Sequence, residues 1–478
     1  MLVNLAGFRN LLGFFIKIIT MENKYNLPSD AYFDKLRNEE FARLDKTGQV
    51  YLDFTGGNLY PDSLLKKHFN QLENNILGNP HSTNPSSQLA TVLVEEARQK
   101  VLDFFNAEDY FCVFTANASG ALKIVGECYP FQKNSEYLLI SDNHNSVNGI
   151  REYCKNKGGN YVYSPIHHED LRIDEKRLND NLANAENKTN KLFAFPAQSN
   201  VSGVKHDLNW VNKAQEKGWD VLLDAAAFVP TSKLDLKEVQ PDFVVASFYK
   251  IFGFPTGIGC LLIKKSSFDI LQKQWFAGGT VDYVSIQESE HLLIANHERF
   301  ENGTLNYLGI PAIKLGLDFI EKIDIENITS RVKELTNLFI SEISNLKHEN
   351  GLPVARIFGP KNTENRGGTV ILNFQDEKGK TFPFYWIEDK TNEKLISIRS
   401  GCFCNPGIDE TNNCVTSEEM AQYYSSRKEK SFDSSTQYLK YMSEQIGRMR
   451  GATRVSFGIA TTTKDIEVFV DFVASLKK

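Results

Sequence analysis

PDFVVASFYKIFGFPTGIG, residues 241–259, places a lysine at the seam between an apolar run and a glycine-rich loop. Phe243 to Ser247 is continuously apolar, the pattern of a strand buried on both faces of a parallel sheet. Lys250 follows at once, among Phe248, Tyr249, Ile251 and Phe252. Lysine is strongly hydrated and is rarely buried without a partner or a task. Either its stem covers apolar surface while the ammonium reaches water, or the amine has chemistry to do. The stretch alone leaves both open.

Working outward, the same kind of run recurs at YFCVFT (110–115), YLLIS (137–141), KLFAFPA (191–197), DVLLDAA (220–226) and GCLLIKK (259–265). Helical or loop segments separate most of them, which predicts an α/β domain with a mostly parallel sheet. After the turn signal NPSS, Leu89, Val92, Leu93, Ala97, Val101, Phe104 and Phe105 mark one face of a long helix. Near residue 310 the chain turns to charged helix, AIKLGLDFIEKI and then NITSRVKELTNLF. Strand-like TVILNF, LISIRS and TRVSFG follow, and a closing helix carries Ile466, Phe469, Val470 and Val473 on one face. We expect a large domain at 21–319, its N-terminal segment packing on a smaller α+β domain at 320–478. The polar stretch at roughly 407–448 reads as an irregular surface insertion.

At 478 residues the chain needs more than one core, in keeping with that division. A formal net charge of -6 and no dense Lys/Arg stripe argue against a nucleic-acid partner. The 7 cysteines are odd in number and scattered apart from one pair, so no disulfide framework is expected and a cytoplasmic location is. The opening MLVNLAGFRNLLGFFIKIIT is greasy, but Arg9 and Lys17 interrupt it. Its longest clean run falls short of the roughly 20 residues of a membrane span. No small-residue cleavage site follows. Residues 1–20 are therefore expected to be a non-structural extension with no membrane role, ahead of Met21.

Ligands in open α/β sheets collect beyond the carboxyl ends of the strands. The residues there are ANASG (116–120), His144, Asn200, Asp224, Ser247 and Lys250. A helix N-terminus with Ser119 can hold a phosphate. An aspartate can pair with a protonated pyridine nitrogen, a histidine ring can stack, and a lysine can form an imine. Those are the parts of a pyridoxal 5'-phosphate site. Singly, Asp224 could be a helix cap and His144 a surface histidine; together, at successive strand ends, they favour the cofactor site.

DAAAFVPTSKLDL (224–236), followed by PDFVVASFYKIFGFPTGIG, closely resembles the desulfurase domain of molybdenum cofactor sulfurases. That domain is a branch of the class V (NifS-like) family of pyridoxal phosphate enzymes. The likeness extends, in order, to FTANASGALKIVGE, DNHNSV, FPAQSNVSGVKH, WFAGGTVDY, RFENGTLNYL, RSGCFCNPG and TRVSFGIATT. It implies the fold type I aminotransferase architecture, with a mostly parallel seven-stranded sheet in the large domain and a smaller α+β domain after it. It also implies a cysteine desulfurase that takes L-cysteine to L-alanine. By this resemblance Lys250 holds the cofactor as a Schiff base and moves protons at the substrate. Asp224 pairs with the ring nitrogen, His144 stacks on the ring, and Asn200 lies near the phenolic oxygen and the substrate. Ser247, Asn117 and Ser119 hold the phosphate. Tyr249 stands where many relatives have a phosphate-contacting histidine, and Ala227 where many have a glutamine. Thr304 reaches the phosphate of the neighbouring subunit, which implies a homodimer. Arg454 clamps the substrate carboxylate.

Sulfur transfer needs a thiolate in an exposed, electropositive loop, and RSGCFCNPG supplies Arg399 and a turn-forming backbone. By the family motif the nucleophile is Cys404, with Cys402 the lesser candidate. C-x-C is an unusual zinc spacing, so no metal is expected from Cys402, Cys404 and Cys414. A carbon–sulfur lyase, an aminotransferase-like enzyme and a non-catalytic dimeric scaffold are the alternatives. Eukaryotic relatives carry a further C-terminal domain that binds the molybdenum cofactor, whereas this chain stops about one helix after Arg454. The sulfur acceptor, molybdenum cofactor or a sulfur carrier protein, is left open.

Overall fold

The computed structural model describes residues 24–478 apart from 430, 433, 435, 436, 438, 439, 442, 443 and 445–449. The expected extension at 1–20 lies outside the described residues. Seven strands form the main sheet: β1 (Tyr110–Thr115), β2 (Glu136–Ile140), β3 (Asn160–Ser164), β4 (Lys191–Pro196), β5 (Asp220–Asp224), β6 (Phe243–Ser247) and β7 (Gly259–Lys264). Their spatial order is β1–β7–β6–β5–β4–β2–β3. β7 runs antiparallel to both neighbours, and every other pairing is parallel. This is the mostly parallel, seven-stranded sheet expected. Every residue of β6 is buried, which is why its sequence is continuously apolar.

The sequence pattern names six of these strands and misses β3. NYVYS is an edge strand whose first residues, Asn160 and Tyr161, are exposed, so its apolar signal is weak. The helix face drawn from hydrophobicity also needs correcting. The helix Pro85–Phe104 buries Ala90, Val94, Ala97 and Val101, while Val92 is 52% exposed. Arg98 lies on the buried face because its guanidinium is paired and hydrogen-bonded. It donates to Glu301 Oε1 at 2.7 Å and to the Cys112 carbonyl at 2.6 Å.

A second, antiparallel sheet comprises β8 (Ala355–Phe358), β9 (Thr369–Phe374), β10 (Arg399–Gly401) and β11 (Ala452–Ser456), in the order β8–β9–β11–β10. Helices Ile325–Asn345 and Thr463–Ala474 cover it through Phe339, Ile343, Phe469 and Val470, all buried. LISIRS is not one strand. Ile396–Ser397 pairs with Val50–Tyr51, and only Arg399–Gly401 joins the second sheet. The stretch expected to be irregular is partly helical, at Pro406–Asn412 and Ser417–Glu429. Pro406 stands in the first turn and Asn405 at the cap, both helix-start signals. Ile408 and Asp409 are buried rather than loose on the surface. Among the described residues no helix is long and apolar enough to cross a membrane.

Candidate active site

β6 ends at Ser247, and the helical turn Phe248–Phe252 that follows carries Lys250. Gly253 ends the turn at φ 80°, pressed so close to the backbone of Leu59 and Tyr60 that a Cβ has no room. The turn therefore holds Lys250 over a cavity of about 290 Å³ beyond the carboxyl ends of the central strands. Lys250, Asp224, His144 and Asn200 line it, as do Asn117, Ser119, Ser247 and Tyr249. Arg454, Cys404 and Thr304 do not.

Burial disfavours the charged form of Lys250 and lowers its pKa from 10.5. Asp224 opposes that shift, while Arg454 and Arg399 add to it. The Lys250 amine has no hydrogen-bond partner on the protein among the described residues. His144 is likewise lowered from 6.5 by burial, so the ring is neutral at physiological pH. Its Nδ1 accepts from the Ser146 amide at 3.1 Å, which leaves the proton on Nε2. Asp224 uses Oδ1 to accept from the Ala226 amide at 3.0 Å. The local roles differ from the duller ones expected: His144 is half-buried and caps the short helix Asn145–Asn148, while Asp224 bonds a turn amide and caps no helix. These bonds occupy one atom of each side chain and leave the rest for the cavity.

At the N-terminus of helix Ala118–Cys128, Asn117 Oδ1 accepts from Gly120 N at 3.0 Å. Ser247 Oγ accepts from Ala118 N at 2.8 Å. The Ser119 hydroxyl meets that of Ser146 at 2.6 Å. A Cβ on Gly259 would lie 2.7 Å from Asn117 Cα, so glycine there lets β7 pass against the helix start. A helix N-terminus with several hydroxyls, a buried carboxylate and a neutral imidazole is a donor set that fits a phosphate-bearing, protonated aromatic ring. The sequence reading misses Thr256 and Gln198 in this lining. Thr256 was legible as the one hydroxyl in the glycine-rich loop. Gln198 was not, since only the fold turns it onto the Ala227 carbonyl, at 2.9 Å.

Arg454 on β11 sits beside the cavity. Its Nη1 donates to the Asn200 carbonyl at 2.8 Å and its Nη2 to Asp53 Oδ1 at 2.7 Å. Its buried Nε has no partner among the described residues, as a site for an incoming carboxylate requires. Arg399 faces Arg454 across the β10–β11 pair, a like-charge arrangement that is unfavourable alone. Asp53 resolves it, because its second oxygen accepts from Arg399 Nε at 2.9 Å. Asp53 is a site residue that the sequence reading overlooks, lying some 400 positions from Arg454 with no motif to mark it.

The two thiols of RSGCFCNPG differ sharply. Cys404 is exposed, on a loop where Phe403 and Cys404 both have φ of 55°. Cys402 is half-buried, and desolvation with Asp409 nearby pushes its thiol well above the ordinary value. Cys402 therefore stays protonated. Cys404 is near enough to Lys250 to act on the field at its amine. Asn200 lines the cavity, yet its amide is committed to the cysteine loop, donating to the Phe403 carbonyl at 2.9 Å. Thr304 is exposed and lines a separate cavity of about 470 Å³ that shares Gly257 with the first.

Residues 50–469 match the family profile described as aminotransferase class-V. A human protein named molybdenum cofactor sulfurase is 35% identical over 462 residues, covering 92% of this chain and 51% of its own length. One of the same name from Arabidopsis thaliana is 34% identical over 488 residues, covering 92% of this chain and 58% of its own. The chain thus spans about half the length of the curated relatives it matches. Among solved structures, the apo cysteine desulfurase of Thermococcus onnurineus NA1 superposes with a TM-score of 0.77 at 22% identity, over 95% of this chain and 99% of that one. A cysteine desulfurase from Escherichia coli gives 0.72 at 20%, with the same coverage. These two likenesses show the fold.

Proposed function

The chain belongs to the class V aminotransferase family, and from that premise we propose that it is a pyridoxal 5'-phosphate-dependent cysteine desulfurase. It takes L-cysteine to L-alanine and keeps the sulfur as a persulfide on Cys404. The observation that carries this reading is the pairing of an unpartnered, burial-depressed Lys250 amine with an exposed Cys404 beside the same cavity. An aminotransferase has no use for the second group.

Lys250 would hold the cofactor. Ser247, Ser119 and Asn117 would hold its phosphate, with Tyr249 beside them, Asp224 would face the ring nitrogen, and His144 would lie on the ring. When bound, the cofactor supplies an electron sink for charge developing at the substrate α-carbon. Arg454 orients the substrate carboxylate, with Asp53 holding the guanidinium in place. Lys250, shifted by burial toward its neutral form, takes the α-proton as a general base. Cys404 accepts the sulfur atom, so that L-cysteine and the enzyme thiol become L-alanine and the enzyme persulfide, in balance. Asn200 holds the Cys404 loop beside this chemistry.

Residues 21–319 and 320–478 form the large and small domains of this enzyme, with the cysteine loop on the small one. A homodimer would bring Thr304 of one subunit to the phosphate end of the other; its exposure, and its place outside the lining of the Lys250 cavity, suit that role. The 7 cysteines are all free, which fits the cytoplasm. Molybdenum cofactor or a sulfur carrier protein receives the sulfur. Incubation of the cofactor-loaded protein with L-cysteine, scoring alanine, pyruvate, sulfide and the mass of the Cys404 peptide, tests the reading. Alanine with a sulfur adduct on Cys404 is expected. Pyruvate and free sulfide, with Cys404 unmodified, would replace it with a lyase.

A further inference from the structure

Asn405 follows the exposed Cys404 in sequence but is itself only 1% exposed. Its Nδ2 donates to Asp142 Oδ1 at 2.6 Å and to Asn200 Oδ1 at 3.1 Å. Its own Oδ1 accepts from Ile408 N at 3.4 Å, at the cap of helix Pro406–Asn412. Asp142, just beyond β2, has no exposed surface. Ser199 Oγ donates to the same Asp142 oxygen at 2.9 Å, and His206 Nε2 meets the other at 3.1 Å. The carboxylate is thus fixed by its own side of the molecule and presents one acceptor to the cysteine loop.

The loop needs such an anchor. Gly401, Phe403 and Cys404 all have positive φ, of 111°, 55° and 55°. Two consecutive non-glycine residues in that region persist only where surrounding contacts over-determine them. Asn145 N donates to the Cys404 carbonyl at 2.6 Å, and Gly407 packs so tightly on the Ser141 carbonyl that a Cβ would clash. These contacts come from the main sheet, whereas the loop is strung between β10 and β11 of the second sheet.

We propose that Asn405 and Asp142 form a latch that sets where the Cys404 sulfur stands. Asn405 is a positioning residue: it does not line the Lys250 cavity and acts through the backbone of its neighbour. The inference rests on Cys404 being the sulfur-accepting thiol. Sulfur transfer demands a close, in-line approach, and a misplacement of about 1 Å costs on the order of 10²-fold in rate. Substrate binding through Arg454 meets the loop at the Phe403 ring, 5.1 Å from the guanidinium, and makes no comparable in-line demand.

The test uses the full chain loaded with pyridoxal phosphate. Asn405→Asp keeps the cap oxygen but sets a carboxylate against Asp142, and Asn405→Ala removes the side chain. Each should lower kcat for alanine by roughly 30- to 100-fold while KM and cofactor affinity stay within about threefold. Hydrogen exchange of the amides of residues 402–408 should speed by about tenfold or more, with β6 unchanged. In the double variant Asn405→Asp/Asp142→Asn, the new amide donates to the new carboxylate and keeps an oxygen for His206. It should recover at least about tenfold of the loss, as directly paired residues do. A double variant no better than the worse single one would overturn the latch, as would unchanged exchange in Asn405→Ala. Wild-type protein that forms no alanine sinks the desulfurase reading instead. The exchange readout needs no turnover, so the two failures are told apart.

Discussion

The two reactive groups of this molecule are held in opposite ways. Lys250 stands on a helical turn at the end of a fully buried strand, and its position follows from the backbone and from core packing around Phe248, Ile251 and Phe252. Cys404 stands on an exposed loop of the smaller sheet, kept in a left-handed conformation by side-chain amides and backbone contacts from the other sheet. Burial tunes the first by removing water from an amine. The second is left open, as suits a sulfur that must be passed on. A base gains from a rigid, dry setting, whereas a group that must reach both substrate and acceptor is held by contacts that can be undone.

The largest expected effect breaks the comparison on the lysine side. Lys250→Ala should lower alanine formation by about 10⁴-fold or more and abolish the visible absorption of lysine-bound cofactor, with far-ultraviolet circular dichroism unchanged. Cysteine turnover by that variant would remove Lys250 from the chemistry. On the other side, Cys404→Ser should cost roughly 10³-fold in alanine formation while still binding the cofactor, and Cys402→Ser less than about threefold. Equal losses in the two variants, measured by single-turnover alanine yield, would erase the distinction drawn from their burial.

Arg454 stands between the two regions. Arg454→Lys keeps the charge but loses the planar fork, and should lower kcat/KM for L-cysteine about 30-fold, or about 2 kcal/mol. No change in kcat/KM would return Arg454 to a structural pair with Asp53. The smallest effect concerns stability of the cofactor-free protein. Because burial lowers Lys250 below 10.5, this group costs stability that is fully present below the depressed value and is relieved as pH rises from there toward 10.5. Lys250→Met lacks this dependence. Its stability advantage over wild type, from urea unfolding midpoints, should therefore shrink as pH rises from about 7 toward about 10. A constant difference would mean that the amine is not desolvated.

Much of the large sheet was legible because each buried strand is a local apolar run, and because Asn117, His144 and Asp224 sit where those runs end. β3 was not, since its first residues, Asn160 and Tyr161, are exposed and polar or aromatic rather than an apolar run, unlike the equally peripheral but largely buried β1. The face of helix Pro85–Phe104 was misdrawn for a related reason: Arg98 is buried by a partner, Glu301, that lies 203 positions away.

The sequence by itself determined the fold class and the chemistry carried at each strand end, since apolar continuity, caps and turn glycines act over a few residues. It also singled out the cysteine pair, through its glycine-rich setting. Only the tertiary structure decided which of those groups share a cavity, that Cys402 is half-buried while Cys404 is exposed, and that Asp53 bridges two arginines. Asn405 meets Asp142 across 263 positions of chain. Burial, electrostatic field and hydrogen-bond pairing depend on which surfaces the folded chain brings together, and no local pattern encodes a contact between segments so far apart.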